Sequence, residues 1–355
     1  MNWKTIAPVV ICSLSFCLSS VYTPAQQSEW DKDMATAIAA RQAGEYSVAQ
    51  TYFKRAIEIQ EKVLGSDSLE VAIGLNNLAV LYQDEYMYAQ AEPLYRRALA
   101  IWEKHPGMEA QVALTLNNLA ALYHDENMDV NAEPLYVRAV GIWEKTGKAG
   151  NDAAVTLVSL ADIYHTQGKD ADAEPLYQRA LAIWGENDKA ESSEAASALF
   201  NLGDIYHSQS KNAEAEPMYT RALAIWDNSG SMDTAEAVTT LDNLGDIYRS
   251  EGKYAQAEPL LTKVLSIRER KLGPEHLDVA ASASKLALLY YCEGKYDAAE
   301  PLYKRAVEIR EKNLGPKDPA VLQTMQYYAA LLRQEGRKTE AQKIEGDAVG
   351  GVSHP

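Results

Sequence analysis

Cysteine is scarce in this 355-residue chain: there are three, Cys12, Cys17 and Cys292. Two of them fall in an apolar leader, and the single cysteine left in the body cannot close an internal disulfide. Stability therefore has to come from packing. Long apolar runs are also missing, and the Ile6–Leu18 stretch falls short of the ~20 residues a membrane-spanning helix needs. Positive charge is in deficit, with 34 Lys and Arg against 50 Asp and Glu and a net charge of −16. Such a surface repels nucleic acid and anionic lipid. There is no phosphate-cradling glycine loop, no His-Glu-x-x-His and no Gly-x-Ser-x-Gly elbow. Nothing alternates in the manner of a half-buried strand, and no linker-like stretch divides the chain.

What the chain does have is a phrase that returns. Ala91-Glu92-Pro93-Leu94-Tyr95 reappears from Ala132, Ala173, Ala215, Ala257 and Ala299, with weaker copies at Ala49 and Ala341. The anchor alanines are spaced 42, 41, 41, 42, 42, 42 and 42 residues apart. A fixed period in the range of roughly 20–50 residues marks a stacked array in which each unit packs mainly on its neighbours. Within the second unit, Val71, Leu75, Leu78, Ala79, Leu81 and Tyr82 fall at helical spacing. After a break at 85–88, a second amphipathic helix (helix B, after helix A) carries Ala91, Leu94, Tyr95, Ala98, Leu99, Ile101 and Trp102. Each unit thus reads as a helical hairpin. Pro93 and its equivalents sit about one turn into helix B, where a missing N–H matters little. Leu64-Gly65-Ser66-Asp67, Leu272-Gly273-Pro274 and Leu314-Gly315-Pro316 separate one unit from the next.

These residues resemble the tetratricopeptide repeat: Leu-Gly/Ala-x-x-Tyr in helix A, then Ala and Tyr in helix B. The 41–42-residue period, Leu-Asn-Asn-Leu-Ala at 75–79 and 116–120, and Leu-Gly-Pro-Glu-His at 272–276 are similar to the kinesin light chain subtype. The resemblance implies an all-α fold, a right-handed α-solenoid of about eight hairpins over residues 33–348, and protein or peptide binding in place of chemistry. The hairpins are expected at 33–63, 68–105, 110–147, 152–187, 192–228, 233–272, 276–314 and 317–348, the end units acting as degenerate caps. Residues 1–25, with Lys4 the only charge and Thr23-Pro24-Ala25 before a polar start, read as a cleaved secretory signal. Residues 26–32 read as a lead-in and 349–355 as a disordered tail. Export to a bacterial periplasm or exterior is the expectation, and loss of Lys4 with the signal takes the charge to −17.

In hairpin arrays of this type the inner face is lined by helix A, at positions three before, one after and four after its small residue. That places Asn76, Asn117, Val158, Asp162, His165, Phe200, Asp204, His207, Asp242, Asp246 and Arg249 as candidate partner-binding residues. The carboxylates suit a segment that carries basic residues beside apolar anchors. An amide is both donor and acceptor, so Asn76 and Asn117 could hold a peptide backbone. Asn77, Asn118, Asn201 and Asn243 are read as bonding between repeats. Asp162 with His165, and Asp204 with His207, each supply two ligands, which do not close a metal site, so no metal or cofactor is expected. Trp102, Trp143, Trp184 and Trp226 are read as staples between hairpins, with Arg268 and Arg310 in their place later. Cys292 is read as a buried, inert thiol. The functional expectation is an exported, non-enzymatic adaptor or assembly scaffold working through its concave groove. Two other readings remain open: a self-associating structural subunit of an envelope complex, and a cytosolic kinesin light chain-like adaptor should the leader be retained.

Overall fold

The computed structural model describes residues 24–147, 150–187 and 189–350. Among them are sixteen α-helices and no strand. The described residues fall into two compact units, divided between Ala190 and Glu191. The first holds four hairpins: α1 (Pro24–Gln42) with α2 (Tyr46–Leu64), α3 (Leu69–Asp84) with α4 (Tyr88–Lys104), α5 (Glu109–Asp125) with α6 (Asp129–Thr146), and α7 (Asn151–Thr166) with α8 (Asp170–Glu186). The second holds four more: α9 (Ser193–Ser208) with α10 (Asn212–Asn228), α11 (Ala235–Ser250) with α12 (Tyr254–Leu272), α13 (Leu277–Glu293) with α14 (Tyr296–Leu314), and α15 (Pro319–Gln334) with α16 (Lys338–Gly350). In each unit a helix packs chiefly on the one before and the one after it. This is an all-α solenoid of eight hairpins.

The boundaries follow from the breakers. Gly65, Gly273 and Gly315 take φ of +91°, +89° and +87°, a backbone state that only glycine adopts without strain. The next helices begin at caps: the side chains of Ser68, Ser192, Thr234, His276 and Asp318 accept a backbone N–H from their helix's first turn.

Three expectations change. α1 begins at Pro24, so the anticipated lead-in at 26–32 is helical, while residues 1–23 of the leader lie outside the described residues. α16 reaches Gly350, two residues into the anticipated tail, and 351–355 again lie outside. The repeated prolines sit deeper than one turn. In α4 the first partnered N–H is that of Gln90 or Ala91, and Pro93 lies beyond both, inside the hydrogen-bonded ladder. Each proline forgoes one bond, but the residue four before it (Ala89, Val130, Ala171, Ala213, Ala255 or Asp297) is exposed, so water can serve the carbonyl.

The core is built from the phrase itself. Its alanines (Ala91, Ala132, Ala173, Ala215, Ala257, Ala299) and tyrosines (Tyr95, Tyr136, Tyr177, Tyr219, Tyr303) are all buried. Close approach is tightest where helix A carries glycine: a Cβ on Gly203 would lie 2.7 Å from the Tyr219 ring, and one on Gly245 would lie 2.7 Å from Leu261.

Candidate functional site

The glutamate and tyrosine of the phrase have separate jobs, both internal. The tyrosine turns back on its own helix A, where its hydroxyl donates to Gln83 from Tyr95 (3.0 Å), to Asp162 from Tyr177, and to Asp204 from Tyr219. The glutamate reaches forward and accepts the helix-A tyrosine hydroxyl of the next hairpin. The pairs are Tyr123 to Glu92 (2.7 Å), Tyr248 to Glu216 (3.0 Å), Tyr290 to Glu258 (2.9 Å) and Tyr328 to Glu300 (2.8 Å). Burial raises the phenol pKa of Tyr95, Tyr136, Tyr219 and Tyr303 well above the usual value of 10.0. For Tyr219 the neighbouring Asp204 carboxylate adds to the effect. Burial and the Glu300 carboxylate push Tyr328 up to about 12.

This wiring corrects part of the expected binding face. Asn76, Asn117, Val158, Asp162, Phe200 and Asp242 are buried and are not surface groups. The Asn76 carbonyl oxygen accepts from Asn118 (3.4 Å) in the next hairpin, where the Thr115 hydroxyl also lies 3.5 Å away. Phe200 packs on Trp226 with ring centroids 6.3 Å apart. The reason is packing by helices beyond their own: the next hairpin covers Asn76, while helix B of the same hairpin covers Asp162 through Tyr177 and Phe200 through Trp226. Asp204 is half-buried and also accepts from Asn243 (3.0 Å), so Asn118 and Asn243 do bond back to the preceding repeat, as expected. All four repeated tryptophans are buried, in keeping with their role as staples.

His165, His207, Asp246 and Arg249 remain half-exposed. His165 Nδ1 lies 2.7 Å from Asp170 and His207 Nδ1 lies 3.1 Å from Asn212, each partner opening the following helix. The histidines thus bridge the turn of their own hairpin and are not brought onto Asp162 or Asp204 as a metal pair. Among the described residues no group of three or more His, Cys, Asp or Glu is placed to hold a metal ion. Cys292 is exposed, contrary to the expectation, because it lies on the last turn of α13 just before Gly294, past the packed stretch.

In the second unit the carboxylates are not bare. Asp242 is 3.1 Å from Lys285 and 3.2 Å from Arg268, while Asp246 is 2.7 Å from Lys285 and 3.4 Å from Arg249. Burial opposes the Lys285 charge, but Asp242 and Asp246 outweigh it and the ammonium pKa is raised. Lys285 and Ser282 were not foreseen. Arg268 left a signal: it stands at the tryptophan position, and its guanidinium donates to Ser282 (2.7 Å) in the next hairpin. Arg310 does the same to Thr324. Where the tryptophan is lost, a polar staple replaces it.

The sequence pattern of the tetratricopeptide repeat matches at 34–104, 111–186, 152–228, 236–312 and 278–350. The chain belongs to the tetratricopeptide repeat family. Among solved structures it is similar to BtubC (BKLC) from P. vanneervenii, with 26% identity over 71% of this chain and 94% of that one and a TM-score of 0.50. It also matches pilF of Pseudomonas aeruginosa, at 16% identity over 72% of this chain and 96% of that one, with a TM-score of 0.54. A kinesin light chain with nearly identical TPR-like repeats, from Podosopora anserina and itself described as putative, matches at 23% identity over 55% of this chain and 92% of that one, with a TM-score of 0.47. No curated protein matches the chain. Tetratricopeptide folds are typically interaction scaffolds, and no described helix is long and apolar enough to cross a membrane.

Proposed function

We propose that this tetratricopeptide protein is an exported, non-catalytic adaptor or assembly scaffold that holds a protein or peptide partner through the A helices of its hairpins. One observation carries the reading. The buried side of the A helices packs within and between hairpins, yet a row of polar side chains stays half-exposed above it: His165 in the first unit, and Asp204, His207, Asp246 and Arg249 in the second. Each of those groups has a partner within the fold and still keeps an edge open to solvent, where it can be read from outside. The surplus of acid favours a partner with basic residues beside apolar ones.

A photo-crosslinking side chain placed at 207 or 249 traps the partner in the native compartment, while the same group at Thr220, exposed on α10, does not. Adducts from 220 alone move the contact to the B helices and overturn the reading. Export is checked by sequencing the mature N-terminus: a start near Gln26 supports it, and an intact Met1 contradicts it.

A further inference from the structure

The A-to-B turns differ between hairpins in a way that folding does not require. In the four hairpins from α7 to α14, a lysine follows the left-handed residue of the turn. Lys169, Lys211, Lys253 and Lys295 each place their ammonium 5.2–5.8 Å from the ring of the helix-A tyrosine. Lys253 and Lys295 also pair with the glutamate of the preceding phrase at 3.2 and 3.3 Å. In the α3–α4 and α5–α6 hairpins that lysine is Met87 and Met128. The lost cation is supplied from elsewhere. Lys54 lies 5.8 Å from the Tyr82 ring, and Arg96 donates to the Tyr123 hydroxyl (2.6 Å) while pairing with Glu92 (2.8 Å). With the internal role filled by B-helix residues, the two turns carry apolar groups facing solvent: Tyr86 is 58% exposed, Met128 41% and Val130 85%. Tyr86 also holds φ at +60°, where a bulky side chain is strained.

The two turns adjoin. The Gln83 amide donates to Asp125 across them (2.8 Å). Burial raises the Tyr88 phenol pKa, and the charges of Asp125 and Glu126 raise it further. Tyr86 meets Tyr88 edge-on with centroids 6.2 Å apart. Around this apolar centre stand Asp84, Glu85, Asp125, Glu126 and Asp129, and of these Asp84 is paired with Arg41 and Asp129 with His124. No other A-to-B turn of the chain has the sequence Asp-Glu-x-Met.

We infer that the paired turns Asp84–Tyr88 and Asp125–Val130 of the first unit form a docking surface for a basic segment of another protein, one with Lys or Arg flanking an apolar side chain. The apolar centre takes the anchor, and the acidic rim takes the flanking cations. A second copy of this chain is disfavoured as the occupant because its net charge of −16 would set like charges against the rim. The surface is separate from the A-helix row proposed above, so crosslinking at 207 or 249 can fail while this inference stands.

The test uses the full chain and three synthetic peptides of equal length: alternating Lys and Leu, Lys with Ser, and Glu with Leu. The variant Tyr86→Gly/Met128→Lys/Val130→Ala rebuilds the turns on the pattern of Gly168-Lys169-Asp170-Ala171. It relieves the strained φ, so its melting temperature stays level or rises. The Lys-Leu peptide should bind the parent chain, weaken with salt, and lose about tenfold in affinity on the variant. Equal binding of Lys-Ser would reduce the effect to bulk charge, and equal binding of Glu-Leu would reduce it to bulk apolarity. Either result overturns the inference, as does unchanged affinity on the variant. So does a concentration-dependent mass in light scattering that the triple variant abolishes, since that assigns the surface to self-association.

Discussion

At the scale of single residues, the aspartates of helix A behave as parts of the fold. Asp204 accepts both the Tyr219 hydroxyl and the Asn243 amide, so Asp204→Ala should cost about 1.5–3 kcal/mol, the range for a hydrogen bond to a charged group. Chemical denaturation measures the loss. A cycle with Tyr219→Phe should show coupling between the two sites, and strict additivity would mean that the bond contributes nothing. The buried phenols make a second prediction. Their folded-state pKa values lie above the unfolded value of 10.0, so the stability they confer is complete below about pH 10 and drains as pH rises above it. Tyr328, pushed to about 12, sets the upper edge of its own window. Alkaline titration followed by tyrosinate absorbance should show ionisation of these rings together with loss of helical signal. Ordinary titration near pH 10 with helicity intact would contradict their burial. Such roles were hard to read from sequence. The partner of Asp162 is Tyr177, fifteen positions on, and the two meet only once the hairpin has closed. Asn76 looked exposed because its own helix leaves it bare; the neighbouring hairpin covers it through Asn118.

At the scale of the element, the hairpin was almost fully legible. Apolar spacing, the glycine stops and the recurring phrase place the A and B helices close to where they lie, because each of these signals acts within a few residues. The prolines show where local reasoning ends, since their tolerance comes from the exposure of the residue four before each one. The staples extend the same lesson. Trp184 is buried at the end of α8, and Trp184→Ala should cost about 3–5 kcal/mol, read as a drop in denaturation midpoint. Arg268→Ala should cost less, on the order of 1–3 kcal/mol, since it leaves Asp242 still held by Lys285. A larger loss for Arg268 than for Trp184 would show that the polar staple carries more of the interface than ring burial does.

At the scale of the molecule, each hydrogen bond between hairpins described here reaches one neighbour and stops there. Stability in such a chain is close to a sum of unit and nearest-neighbour contributions. Tyr303→Ala should therefore raise amide exchange across α13–α16 and leave the protection of α3–α6 unchanged; uniform acceleration along the chain would contradict this locality. Family membership and fold could be inferred from repetition alone. The proposed docking surface could not, because repetition hides the positions that depart from it. Met87, Met128 and Tyr86 stand out only once the lysines they displace are seen at work in later hairpins.

The bonds from each phrase glutamate to the tyrosine of the next hairpin have a consequence for how such a chain can change. At Tyr123, Tyr248 and Tyr290 donor and acceptor recur in one register, so excising or duplicating one whole period among such hairpins offers an orphaned hydroxyl a fresh carboxylate of the same kind; Tyr328 reaches Glu300 from about one turn earlier in its helix. Lengthening or shortening by complete modules is thus chemically silent at the junction, whereas a cut of any other size strands polar atoms on both sides. Genes encoding this architecture are free to grow by unequal crossing-over, and the reach available to a bound partner grows with them.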